Sequence, residues 1–95
     1  MPMKPREFIV LIIYDIVDNR RRTKMVKCLE AYAVRVQKSA FEGRLTKKQY
    51  ERLITKSVRI IDENTDSLRV YILDDVLDCY SWGVKADTDG TCVIV

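Results

Sequence analysis

The sequence predicts an α+β fold, two helices on one face of an antiparallel sheet, in the order β-α-β-β-α-β. Three observations lead there. Residues 8–14, FIVLIIY, are an unbroken apolar run between two charges. Two later segments repeat apolar residues at the 3.6-residue period of a helix. Residues 68–72 alternate apolar and polar side chains at the two-residue period of a strand.

The run at 8–14 has seven residues, far short of the roughly 20 a membrane span needs. Its β-rich composition makes it a strand, and apolar character on both sides predicts burial of both faces. Lys4 and Arg6 ahead of it imitate a secretory signal, but Asp15 ends the run and no small-residue cleavage site follows. Residues 1–7 read as a loose leader.

Asp18 and Asn19 are good N-cap residues and open the first helix. Met25, Cys28, Leu29 and Tyr32 form its apolar stripe. Arg20, Arg21, Arg22, Lys24 and Lys27 crowd its first turns, the end where the helix dipole disfavours cations. A departure of this kind from local preference reads as an anion site, the alternative being a solvated charged face.

Residues 34–45 read as extended, either two short strands or one bent at Gly43. Thr46 caps the second helix, with Tyr50, Leu53, Ile54, Val58 and Ile61 inside and Lys47, Lys48, Glu51, Arg52 and Lys56 outside. Residues 62–66, DENTD, make a turn into the strand at 68–72. The signal then weakens. Residues 74–78 are acidic, 80–82 suggest a short strand, 87–90 a turn and 91–95 a final strand. Tyr80 and Trp82 are expected to pack on a partner surface.

This order is the split-βαβ, ferredoxin-like sandwich with an added C-terminal strand, one domain over residues 1–95. Both helices would cover one sheet face. The other should be polar if it meets water, and the first strand is not. A homodimer is the simplest cover, with the extension at 74–95 contributing to it and residues 91–95 adding an edge on the partner.

Seventeen Lys and Arg against fourteen Asp and Glu leave +3, unevenly spread. Residues 1–61 hold fifteen basic and six acidic residues, and residues 62–95 hold two and eight. A body of +9 points to a polyanionic partner such as nucleic acid, and argues against a small-molecule regulatory module. Histidine is absent, which excludes imidazole catalysis and His-metal clusters. Three cysteines, Cys28, Cys79 and Cys92, none at CxxC spacing, argue against a zinc site or disulfide framework. They read as small buried hydrophobes in a reducing cytoplasm.

Helix-start amides and guanidinium groups together make a phosphate site, so Arg20, Arg21, Arg22, Lys24 and Lys27 are candidate nucleic-acid contacts. Arg35, Lys38, Lys47 and Lys48 would add to the same field. Asp15, at the C-terminal end of the first strand, is either a turn aspartate or one carboxylate of a metal site. Mg²⁺ is usually held by one or two carboxylates and keeps several waters, so two copies of Asp15 at a dimer axis would suffice. Phe41 is core or a base-stacking platform, Ser39 a phosphate donor or a turn residue, and Tyr14 a packing residue.

Residues 13–22, IYDIVDNRRR, residues 35–42, RVQKSAFE, and residues 66–71, DSLRVY, resemble as a set the Cas-two family of CRISPR-associated proteins. The resemblance covers residues 8–73. It implies a homodimer working in spacer acquisition, bridging Cas-one integrase dimers and holding duplex DNA. It also implies a magnesium-dependent endonuclease acting on single-stranded RNA or double-stranded DNA, with Mg²⁺ shared by Asp15 of both protomers. By the same resemblance Tyr14, Arg22, Arg35, Ser39 and Phe41 fall on family motif positions. Lys24 stands where an arginine can occur, and loses its bidentate donor. A stand-alone toxin-type endoribonuclease on the same fold is the alternative. Either would be cytoplasmic, with no membrane contact.

Overall fold

In the computed structural model, residues 6–73, 77–84 and 93–94 are described. β1 (Glu7–Asp15) is the central strand, and α1 (Asn19–Glu30) follows a short loop. The strands β2 (Val34–Gln37) and β3 (Ala40–Thr46) form a hairpin, so residues 34–45 make two strands. α2 (Lys47–Ile60) and β4 (Ser67–Leu73) complete the expected βαββαβ order, and β5 (Leu77–Gly83) and β6 (Val93–Ile94) extend it.

The sheet order is β2-β3-β1-β4-β5-β6, whose first four strands have the ferredoxin-like arrangement. β1 runs antiparallel to β3 on one side, with Val10 opposite Gly43, and antiparallel to β4 on the other, with Val10 opposite Ile72. β5 adds antiparallel to β4, and β6 joins β5 in parallel.

Both helices start on their caps. Asp18 accepts from the Arg21 amide, and Thr46 forms a capping box with Gln49. Between the helices and the sheet lie Val10, Ile12 and Tyr14 of β1, Met25 and Leu29 of α1, Phe41 and Leu45 of β3, Leu53 of α2, and Leu68 and Val70 of β4. Because side chains alternate along a strand, Ile9, Leu11 and Ile13 point to the opposite, open face. There Ile9 and Leu11 are half-buried and Ile13 is exposed, beside Tyr71 and the exposed Leu73. The expectation that β1 is buried on both faces therefore does not hold within one chain.

Gly43 does not bend its strand. A Cβ there would lie 2.8 Å from the Tyr32 carbonyl oxygen and 2.9 Å from the Ala33 Cβ, so it permits a close passage. The irregularity falls in β2, between Arg35 and Gln37. The expected strand at 80–82 is longer, and Trp82 packs against this chain's own core. β6 pairs with β5 of the same chain. The turn expected at 87–90 lies outside the described residues. Cys28 is a free thiol, but Cys79 is disulfide-bonded. Linear spacing does not reveal such a bond, because it depends on which strands the tertiary fold sets side by side.

Candidate nucleic-acid interface

The five cations at the start of α1 do not act as one cluster. Successive residues turn about 100° around a helix axis, and the fold sends each in a different direction. Arg20 is exposed and is not among the residues lining the α1–β2 cleft or the groove between the helices. The Arg21 guanidinium turns to Asp66, Nε to Oδ2 at 2.8 Å and Nη2 to Oδ1 at 3.3 Å. Arg22 and Lys27 face the β2–β3 edge, and Lys24 reaches the seam between the helices, which Lys27 also borders.

Asp66 is fully buried. Its carboxylate also accepts from the Val17 amide at 3.1 Å, the Asp62 amide at 2.9 Å and the Thr65 hydroxyl at 3.2 Å. Burial alone would raise its pKa. The Arg21 bond, the two amides and Thr65 outweigh that and hold it at about 2. One side chain thus ties the β1–α1 loop, the start of α1 and the loop after α2 to the start of β4. Asp18 is held below the usual carboxylate range, chiefly by the Arg21 amide and also by the nearby charges of Arg21 and Arg20.

Between α1 and the β2–β3 turn lies a cleft of about 430 Å³. Tyr14 and Ser39 stand at the sheet end, Arg22, Lys27, Arg35 and Lys38 supply its cations, and Glu30 is its one acid. The Lys38 carbonyl organises it, accepting from Arg35 Nε at 3.2 Å, Arg35 Nη2 at 2.7 Å and the Tyr14 hydroxyl at 3.3 Å. Arg35 also lies 5.9 Å from the centroid of the Phe41 ring. Five donors sit on a guanidinium, so a pinned Arg35 keeps others for a phosphate. Arg22 is steadied by a hydrogen bond from its Nη2 to Asn19 Oδ1.

Phe41 is wholly buried and packs against Tyr14, with ring centroids 6.3 Å apart. No base can stack on it, so its place is in the core below Arg35. Lys47 and Lys48 are exposed on α2, away from this cleft. Asn19, Thr23, Val26 and Glu30 line the cleft unforeseen. With Arg22 and Lys27 they recur at three- and four-residue steps, so the helical period extended from Arg22 would have found them.

Asp15 is exposed at the end of β1, opposite Ser67. Alternation sends Tyr14 to the helix side and Asp15 to the open face. The described residues contain no group of three or more acidic, cysteine or histidine side chains able to hold a metal. A single chain therefore offers one carboxylate, Asp15, toward the expected Mg²⁺. The donor set fits the ion when a second open face brings its own Asp15. No helix among the described residues is long and apolar enough to cross a membrane.

A family model for CRISPR associated protein Cas2 matches residues 8–77. A CRISPR-associated endoribonuclease Cas2 of Chloroflexus aurantiacus is 47% identical over 66 residues, 70% of this chain and 71% of that relative. One from Thermotoga maritima is 37% identical over 83 residues, 85% and 94% of the two chains. The crystal structure of Streptococcus pyogenes Cas2 superposes with a TM-score of 0.65 at 33% identity, covering 70% of this chain and 87% of that one.

Proposed function

This chain belongs to the CRISPR-associated protein Cas2 family, and we propose that it is a homodimeric subunit of spacer acquisition that grips duplex DNA and bridges Cas-one integrase dimers. The observation carrying this reading is the cleft in which Arg22, Lys27, Arg35 and Lys38 surround Tyr14 and Ser39. Four cations against one acid, with Arg35 pinned on the Lys38 carbonyl, suit a phosphate backbone. Contacts of this kind position a nucleic acid without reading its bases.

The second copy covers the open sheet face. Ile9, Leu11, Ile13, Tyr71 and Leu73 make an apolar stripe there, and burying such a stripe favours association. Two such faces brought together around a two-fold axis place the Asp15 carboxylates near one another. Mg²⁺ held by them would polarise a phosphodiester and acidify a bound water. The chain's own contribution is to hold Asp15 at a strand end fixed by the Asp66 contacts, and to seat the strand on the basic cleft. The relatives' name, endoribonuclease, supports a second reading in which the strand cut is single-stranded RNA.

Replacing Arg22 and Arg35 together with alanine tests the cleft. Duplex affinity should fall for all sequences alike, and the slope of log affinity against log salt should lose about two, near one per phosphate contact. An unchanged slope and affinity would reduce the cleft to a solvated surface.

A further inference from the structure

The outer surface of the two helices carries a second set of cations. α2 places Lys48, Arg52, Lys56 and Arg59 on one face, at steps of four, four and three residues, and all four are exposed. Across the seam α1 contributes Lys24 and Lys27, which with Lys56 and Arg59 border a groove of about 540 Å³. Tyr32 lies in that groove and fixes Lys56. The Lys56 Nζ donates to the Tyr32 hydroxyl at 3.1 Å and sits 5.4 Å from the ring centroid.

This charge is left uncompensated. The ion pairs of Arg21, with Asp18 and Asp66, do not involve these cations. Glu51 is the one acid bordering the α2 stripe, and its neighbour one turn on is Thr55. Like charges four residues apart on a helix destabilise it. Four steps of 1.5 Å also put such cations about 6 Å apart along the axis, inside the ~8 Å Debye length at physiological salt. They repel one another unless a polyanion lies over them.

We propose that this helical face is a second phosphate-backbone track, separate from the α1–β2 cleft and joined to it through Lys27, which borders both. It rests on the nucleic-acid reading above for its ligand class and adds the place where a further stretch of duplex lies. Among the described residues, the exposed large apolar side chains are Ile13, Val17, Val34, Val36, Leu73 and Val84, and none belongs to either helix. The groove floor holds Ala31 and the half-buried Cys28, Tyr32 and Ile60, none of them an exposed large aliphatic side chain for a protein partner's centre or a membrane to take up. A polar, strongly positive surface is what nucleic-acid interfaces have.

The test is salt-dependent binding of the full chain to a random-sequence duplex, measured by fluorescence anisotropy. Four forms are compared: wild type, Arg52→Ala with Arg59→Ala, Arg22→Ala with Arg35→Ala, and all four substitutions together. Lys27, shared by the two surfaces, is left intact. Each pair should lower the salt slope by about two and the quadruple by about four. If the α2 pair alone leaves slope and affinity at wild-type values, the track is overturned and the cleft stands. If the α1–β2 pair alone does so, the cleft fails and the track stands. A chain without salt-dependent duplex binding overturns both. Loss of binding to phosphatidylglycerol vesicles with duplex binding unchanged would give the face to a membrane and also overturn the track. Should the alanine pair lower the melting temperature, Arg52→Gln with Arg59→Gln keeps polarity and removes the charge.

Discussion

The Arg21 guanidinium grips the buried Asp66 carboxylate with two nitrogens, Nε at 2.8 Å and Nη2 at 3.3 Å, across 45 residues of sequence. The pair joins the start of α1 to the start of β4. It sets where the basic helix sits relative to the strand end that carries Asp15.

Asp66→Ala removes the acceptor for Arg21 and for the Val17 and Asp62 amides. The expected loss is roughly 3–5 kcal/mol, as for a broken buried pair, read as a lower urea midpoint. Arg21→Ala should cost about 1–3 kcal/mol, since the backbone bonds to Asp66 remain. It should also change the duplex salt slope less than Arg22→Ala does. Equal slope losses would mean that Arg21 leaves Asp66 to bind phosphate.

Acid should unfold the protein partly through Asp66. Its folded pKa, about 2, is below the unfolded value near 3.9. Its stabilisation is therefore complete above about pH 4 and is lost as pH falls toward 2. The amount is on the order of 2 kcal/mol. Asp66→Asn should flatten the stability profile across that window. An unaltered profile would assign acid sensitivity to other carboxylates.

Gly83 ends β5 at φ +98, where a Cβ would lie 2.0 Å from the Asp66 carbonyl oxygen. That same oxygen accepts from the Val84 amide at 3.0 Å. Gly83→Ala must therefore move backbone at the Asp66 junction. A loss of roughly 2–4 kcal/mol is expected, and a melting temperature like that of wild type would contradict the close contact.

Ile13→Lys places a charge in the middle of the open face. Sedimentation should show the wild type as a dimer and this variant as a monomer. A variant that stays dimeric would move the interface elsewhere.

Asp15→Asn should abolish chelator-sensitive cleavage of RNA or DNA while circular dichroism shows the fold retained. Duplex affinity should hold, because the cations of the cleft and not Asp15 make the phosphate contacts. Cleavage by the variant at the wild-type rate would remove Asp15 from the reaction.

The order of strands and helices was legible in the sequence because its signals are local. The stripe Met25, Cys28, Leu29 and Tyr32, the caps Asp18 and Thr46, and the alternation after residue 67 each act within a few residues. The ferredoxin-like arrangement follows from that order by general packing rules. The unequal spread of charge was equally plain from residue types alone. Several site positions were also legible: Arg22, Lys27, Arg35, Lys38 and Ser39 do converge on one cleft.

The destinations of individual side chains were decided by tertiary structure. Arg21 and Arg22 are adjacent and chemically identical. One is bound to Asp66 and the other faces a cleft, because one helical step turns them about 100° apart. Asp66 reads in the sequence as one more acid of a turn, and only the closing of α1 against the start of β4 buries it. Phe41 reads equally as platform or core until β3 pairs with β1 and puts it under the helices. The groove between α1 and α2 exists in neither helix alone. Each of these depends on contacts tens of residues apart, and such contacts leave no periodicity for a sequence to show.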